Sequence, residues 1–252
     1  MPKIEYPDVE KVVDDLNVSL QSTLSEKLLA LYLFGSAVSG DFDPQTSDVD
    51  LLAITEASLS DTELDDLRRT HETFINAHPR WKGRIEVAYV DVESMQKFKT
   101  STVTIVRISP GEPLHFRDMD KGWAMDWYVV QELGLTLYGP KPDTYIPHIT
   151  KDEFIASIKD AYLSWVDRAK EARWIGYQSY IIMSLCRGLY AIRYGRQISK
   201  PQGASWAAKE FPEWASLIHL AEKWHGSPDK SDSLETQKET IEFAKFMTAK
   251  IL

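Results

Sequence analysis

The sequence predicts an α+β protein, an N-terminal domain of strands and helices followed by a C-terminal α-helical bundle. Three observations carry this. "ALYLF" (30–34), "DVDLLAI" (48–54) and "RIEVAYV" (84–90) are short β-rich apolar runs set between segments of helical period. "LTLYGPKPDTYIP" (135–147) concentrates Gly139, Pro140, Pro142 and Pro147 and reads as a linker. Beyond it only helical periodicity is found. The expected domains are therefore residues 1–145 and 146–252.

In chain order, Val9, Val12, Val13, Leu16, Leu20 and Leu24 recur at helical spacing and predict a helix over residues 8–29. The run 30–34 is a strand that ends at Gly35, and 48–54 is a second strand. Ser60 and Glu63 form a capping box that opens a helix of about 16 residues. Residues 84–90 alternate as a third strand. Residues 101–120, which hold "SPGEP", read as irregular, and "WAMDWYVVQELG" (123–134) returns to helix. After the linker, Thr150 and Glu153 form another capping box. Residues 151–170 then carry one apolar stripe through Phe154, Ile158, Tyr162, Trp165 and Ala169. "YIIMSLCRGLYAI" (180–192) is apolar on nearly all sides and predicts a buried central helix, with three further helical segments to the C-terminus.

Bulk properties narrow the function. A chain of 252 residues can bury a substantial core. A formal net charge of −9 argues against broad binding to a nucleic-acid backbone. No apolar run approaches the roughly 20 residues that cross a bilayer, so no membrane association is expected. The first thirteen residues hold no secretory-type apolar segment, and the one cysteine, Cys186, excludes a disulfide framework. A cytoplasmic location is the expectation, and Cys186 reads as a core residue.

The informative stretch is "LYLFGSAVSGDFDPQTSDVDLL" (31–52). Asp48 and Asp50 are two apart on one strand and so project to the same side. Two like charges at that distance are costly unless a cation lies between them. An oxygen-only pair suits Mg²⁺, which recruits substrate phosphates as further ligands. Gly35-Ser36, separated from Asp48 by eleven residues, offers backbone N–H groups and a hydroxyl to an anion. Glu86, in the middle of the third strand, faces the same site if that strand pairs beside the second. Such equipment belongs to phosphoryl or nucleotidyl transfer.

On these residues the chain resembles the nucleotidyltransferases of the DNA polymerase β superfamily, and within them the aminoglycoside adenylyltransferases that modify streptomycin and spectinomycin. The resemblance implies a polymerase β-like domain, a mixed sheet with flanking helices, followed by the helical domain. It implies ATP and Mg²⁺ as cofactors and an antibiotic as the other small-molecule partner; a monomer is a separate expectation. Asp48 and Asp50 are then metal ligands, and Gly35, Ser36 and Ser47 line the nucleotide. Glu86 is either the base that deprotonates the acceptor hydroxyl or a further metal ligand; the resemblance favours the base. "IIMSLCRGLYAIRYGRQISKPQGASWA" (181–207) is similar to the segment that puts Arg187 and Lys200 on the triphosphate. "LIHLAEKWHG" (217–226) is similar to the one that sets an aromatic residue, here Trp224, against adenine.

The antibiotic half departs from the family pattern. Arg173, Tyr177 and Tyr180, in "EARWIGYQSY" (171–180), stand nearest the positions where the family carries acids, and "DMDKGWAMDW" (118–127) replaces its Gly-Glu-Trp loop. Asp126, Asp167 and Glu171 are other acids that could serve. An arginine and tyrosines there favour a compact aminocyclitol such as spectinomycin over the doubly guanidinylated streptomycin. Two other readings stay open: a nucleotidyltransferase of this fold that AMPylates a protein or RNA, and a nucleotide sensor without turnover.

Overall fold

The computed structural model of the chain describes residue 4 and residues 6–227 and 231–251. It divides into two compact units, Met1–Ile149 and Thr150–Leu252. Among the described residues no helix is long and apolar enough to cross a membrane.

The first unit is built on a six-stranded sheet: β1 (Leu28–Phe34), β2 (Val49–Thr55), β3 (Ile85–Asp91), β4 (Val103–Ser109), β5 (Glu112–Met119) and β6 (Leu135–Tyr138). The order is β5-β4-β3-β2-β1-β6. Among the described residues only β2 and β3 run parallel, and α3 (Asp61–Ala77) lies in the chain between them, as a parallel crossover requires. β1 to β3 are apolar on both faces because both are covered. Leu31, Leu33, Leu51, Ala53, Val87 and Tyr89 pack with α1 (Pro7–Leu24) and α3. Ala30, Tyr32, Leu52, Ile54, Ala88 and Val90 pack with α4 (Val92–Lys97) and α5 (Ala124–Leu133). The capping box at Ser60–Glu63 closes on both sides and opens α3 at Asp61.

Three expectations for this unit are corrected. The first helix ends at Leu24 rather than residue 29. Ser25 takes φ 49°, breaking the helix, and Leu28 already belongs to β1. Residues 101–120 are not irregular but form the β4–β5 hairpin, turned at Pro110-Gly111 with Ser109 opposite Glu112. "SPGEP" is thus a tight turn between strands rather than a long loop. The linker stretch begins as β6, which pairs antiparallel with β1 through Leu33–Leu135 and Leu31–Tyr138.

The second unit is helical. The stripe over residues 151–170 is two helices, α6 (Lys151–Tyr162) and α7 (Trp165–Glu171), parted at the exposed Leu163. The capping box at Thr150–Glu153 opens α6. The expected central helix is α8 (Ile175–Tyr194), which buries Ile181, Ile182, Met183, Leu185, Cys186 and Leu189. α9 (Lys200–Glu210), α10 (Ala215–Trp224) and α11 (Leu234–Ala249) pack on it or on one another. Cys186 is fully buried, and burial pushes its thiol far up.

Candidate active site

At one end of the sheet, on the face that carries α5, three residues stand in a row. Phe34 of β1 pairs with Asp50 of β2, and Asp50 pairs with Glu86 of β3. In-register neighbours project to the same face, so strand register alone puts the Asp50 and Glu86 carboxylates side by side. Asp48 immediately precedes β2 and, like Asp50, is half-buried.

Gly35 is the tightest contact of the row. It has φ 70° and ψ −148°, and a Cβ built there would lie 2.0 Å from Asp50 Oδ2. Only glycine tolerates both the backbone conformation and the approach. The Gly-Ser turn and the second aspartate therefore form one packed unit. Ser36 opens α2 (Ser36–Ser39), a single turn, and is half-buried.

The loop before Asp48 is held from within and from below. Ser47 Oγ accepts from the Asp43 N–H at 2.9 Å, and Asp43 Oδ1 accepts from the Gln45 N–H at 2.8 Å. Arg84 lies beneath it. Its Nε donates to the Ser47 carbonyl at 3.0 Å, its Nη1 to the Pro44 carbonyl at 3.1 Å, and its guanidinium sits 4.8 Å from the Trp81 ring centroid. Burial pulls Arg84 below its ordinary value, while Asp48 and Asp43 oppose that shift. Arg84 thus places positive charge under the acid loop.

Glu86 has a partner that the sequence reading missed. Arg107 of β4 lies opposite Ala88 of β3, on the same sheet face, and its Nη2 forms an ion pair with Glu86 Oε1. Among the described residues no group of three or more His, Cys, Asp or Glu could hold a metal ion. Asp48 lies just before β2 rather than within it, as the strand expected over 48–54 had it, Asp50 lies two residues on, and Glu86 is turned to the guanidinium. The readable signal for Arg107 was the β-branched run "VTIVRIS" (103–109), which marks a strand, and the two-residue period of a strand then sets Arg107 on the same face as Ile105.

In the second unit, Lys200 is the first residue of α9, behind a Ser199–Gln202 capping box, and its Nζ lies 4.8 Å from the Tyr180 ring centroid. Arg187 of α8 is half-buried where α9 crosses. A Cβ at Gly203 would come within 2.7 Å of Arg187 Cα, so the glycine sets that crossing distance. Trp224 is the last residue of α10 and is half-buried. Trp174, Tyr177 and Tyr180 form a ladder at three-residue spacing, with ring centroids 5.2 and 6.2 Å apart. Arg173 points its charge at Asp232, 3.3 Å away, which weakens the expectation that it repels a cationic drug. Gln178, fully buried between the tyrosines in sequence, donates to the carbonyls of Ala172 and Ser233 at 3.1 and 3.0 Å. That position is a structural tie.

The geometry describes a nucleotidyltransferase, and the comparisons specify which kind. Residues 19–109 match the nucleotidyltransferase domain model, and residues 144–250 match the model of the aminoglycoside adenylyltransferase C-terminal domain. No curated protein matches the sequence. Among solved structures, the fold is shared with spectinomycin adenyltransferase AAD(9) from Enterococcus faecialis, whose crystal structure contains ATP and spectinomycin. That match has a TM-score of 0.77 and 16% identity, and covers 96% of this chain and 98% of that one. A toxin–antitoxin structure with AMP-PNP aligns at a TM-score of only 0.30, with 17% identity over 62% of this chain and 91% of that one, and carries no weight. The chain belongs to the aminoglycoside adenylyltransferase family and is an enzyme of that type.

Proposed function

We propose that the protein transfers AMP from ATP to a hydroxyl of an aminocyclitol or aminoglycoside antibiotic and releases pyrophosphate. The observation that carries this reading is the row formed by the Gly35 turn, Asp50 and Glu86, with Asp50 Oδ2 packed where a Gly35 Cβ would stand at 2.0 Å. A substrate oxygen brought to that row meets an acid pair on one side and a candidate base on the other.

Asp48 and Asp50 are the residues that would hold Mg²⁺. Two carboxylates suit a cation that completes its shell with water and substrate phosphate. The bound metal would neutralise charge on the phosphates. Glu86 takes the proton of the acceptor hydroxyl. The hydroxyl oxygen bonds to the α-phosphorus, and the bond from that phosphorus to the β-phosphate bridging oxygen breaks. Ser36 and the Gly35 turn, with Ser47, contact the nucleotide; Arg187 and Lys200 contact its phosphates, and Trp224 its adenine.

For the acceptor, the proposal is spectinomycin in preference to streptomycin. The ladder Trp174–Tyr177–Tyr180 supports a compact ring system more than a polycation. The AAD(9) structure that shares the fold contains spectinomycin. Pyrophosphate release from ATP, measured with spectinomycin and with streptomycin, tests this. Faster release with spectinomycin is expected, and release with streptomycin alone contradicts the preference.

A further inference from the structure

Arg107 and Glu86 form a partly buried ion pair whose side chains are only 23% and 20% exposed. The guanidinium is fixed on a second side as well, at 5.2 Å from the Trp123 ring centroid. Trp123 is itself anchored. Its Nε1 donates to the Asp118 carbonyl at 3.2 Å, and its ring stacks on the fully buried Trp127 at 5.3 Å. Trp127 in turn meets Phe34 edge-on at 6.3 Å, and Phe34 is the register partner of Asp50. A continuous chain of contacts thus runs from Asp50 through three aromatic rings to Arg107 and back to Glu86.

As a stabiliser this arrangement is poor. Removing two charges from water costs about what their attraction returns. Arg107 also buries its Nε–H without an acceptor, a further penalty. Its geometric effect is definite: one guanidinium N–H takes Oε1 and sets the plane and rotamer of the Glu86 carboxylate, while the ring beneath restrains the guanidinium.

We propose that Arg107 is a positioning residue for Glu86. It holds the carboxylate beside Asp50 so that the other oxygen, Oε2, meets the acceptor hydroxyl, with Trp123 as its support. This rests on the reading of Glu86 as the base.

The test is a double-mutant cycle on the full-length protein. Single-turnover pyrophosphate release and KM for ATP are measured with spectinomycin and streptomycin supplied together, alongside the melting temperature. Arg107→Met is expected to lower the chemical step by about 10²-fold, the loss typical of a misplaced catalytic group, with KM for ATP changed by no more than about twofold. Arg107→Lys keeps the charge and recovers about a tenth of wild-type rate without the planar fork. In a Glu86→Gln background, Arg107→Met costs less than about threefold, because the group it positions is already gone. Equal losses in both backgrounds, or an Arg107→Met rate within about threefold of wild type, overturn the inference and leave a structural ion pair. A fully active Glu86→Gln variant, or a wild-type protein without pyrophosphate release, overturns the reading of Glu86 as base and this inference with it. If Arg107→Met fails to fold, Arg107→Lys and Trp123→Leu carry the same cycle, with the same outcomes deciding it.

Discussion

The acidic end of the sheet in the first unit and the aromatic face of α8 in the second are built by different means. Asp50 and Glu86 are neighbours because β2 and β3 pair in parallel with no register shift, and Gly35 fits against Asp50 with no space for a methyl group. Arg84 and Arg107 fix the flanks. The tyrosines and Lys200 sit on helix surfaces, and Tyr180 is 40% exposed. Strand register tolerates no displacement smaller than a whole residue, whereas an exposed side chain on a helix can re-orient. Isosteric changes in the first region should therefore abolish chemistry, and changes in the second should tune binding.

The largest effect belongs to Asp50→Asn, which removes a charge and almost no volume. Pyrophosphate release should be lost, while the melting temperature stays level or rises because repulsion with Asp48 is relieved. A variant near wild-type rate would erase the distinction between the regions. Glu86→Gln comes next. A general base contributes about 10²–10⁴-fold, so the chemical step should fall by that order. Calorimetric titration should still detect ATP binding; its loss would make Glu86 a metal ligand instead. Lys200→Met is expected to raise KM for ATP by about tenfold, one charge-assisted contact, and to leave kcat near wild type. A loss confined to kcat would place Lys200 with the chemistry.

The smallest effect on activity, and a clear one on stability, concerns the opposite face of the sheet. His71 Nε2 lies 2.6 Å from the Tyr89 hydroxyl, and burial holds the imidazole at about 4, below its ordinary 6.5. The folded state thus resists protonation. Its stability is complete above the unfolded value near 6.5, falls as pH drops through the window to about 4, and then levels. The loss over that window is roughly 3 kcal/mol. His71→Leu with Tyr89→Phe should flatten this part of the pH–stability curve. An unchanged slope between the variant and the wild type would remove His71 as its cause.

The same contrast decides what could be read in advance. The capping boxes at Ser60–Glu63 and Thr150–Glu153 were legible because three-residue side-chain pairing is local. The proximity of Gly35, Asp50 and Glu86 was legible because two short apolar runs flanked a Gly-Ser turn and a third carried the acid. The β4–β5 hairpin was not legible because Pro110-Gly111 marks a turn locally, while the strands on either side are defined by their pairing with each other. Arg107 and its ion pair went with it, since that contact exists only once β4 is laid beside β3. β6 was hidden by the glycine and prolines that follow it. Arg173 was placed on the acceptor side by its match to the family's acidic positions, and its ion pair with Asp232, which is distant in the chain, was not legible. Helix-surface partners of this kind depend on how helices stop and turn, and no local pattern encodes that.

The central claim is that the Gly35–Asp50–Glu86 row performs adenylyl transfer to an antibiotic hydroxyl. The most direct measurement is mass spectrometry of spectinomycin incubated with ATP, Mg²⁺ and the protein, with Asp50→Asn as control. The account predicts a product heavier by one AMP, formed with stoichiometric pyrophosphate by the wild type and absent with the variant. An unmodified antibiotic, or an adduct that forms equally well with Asp50→Asn, would contradict it.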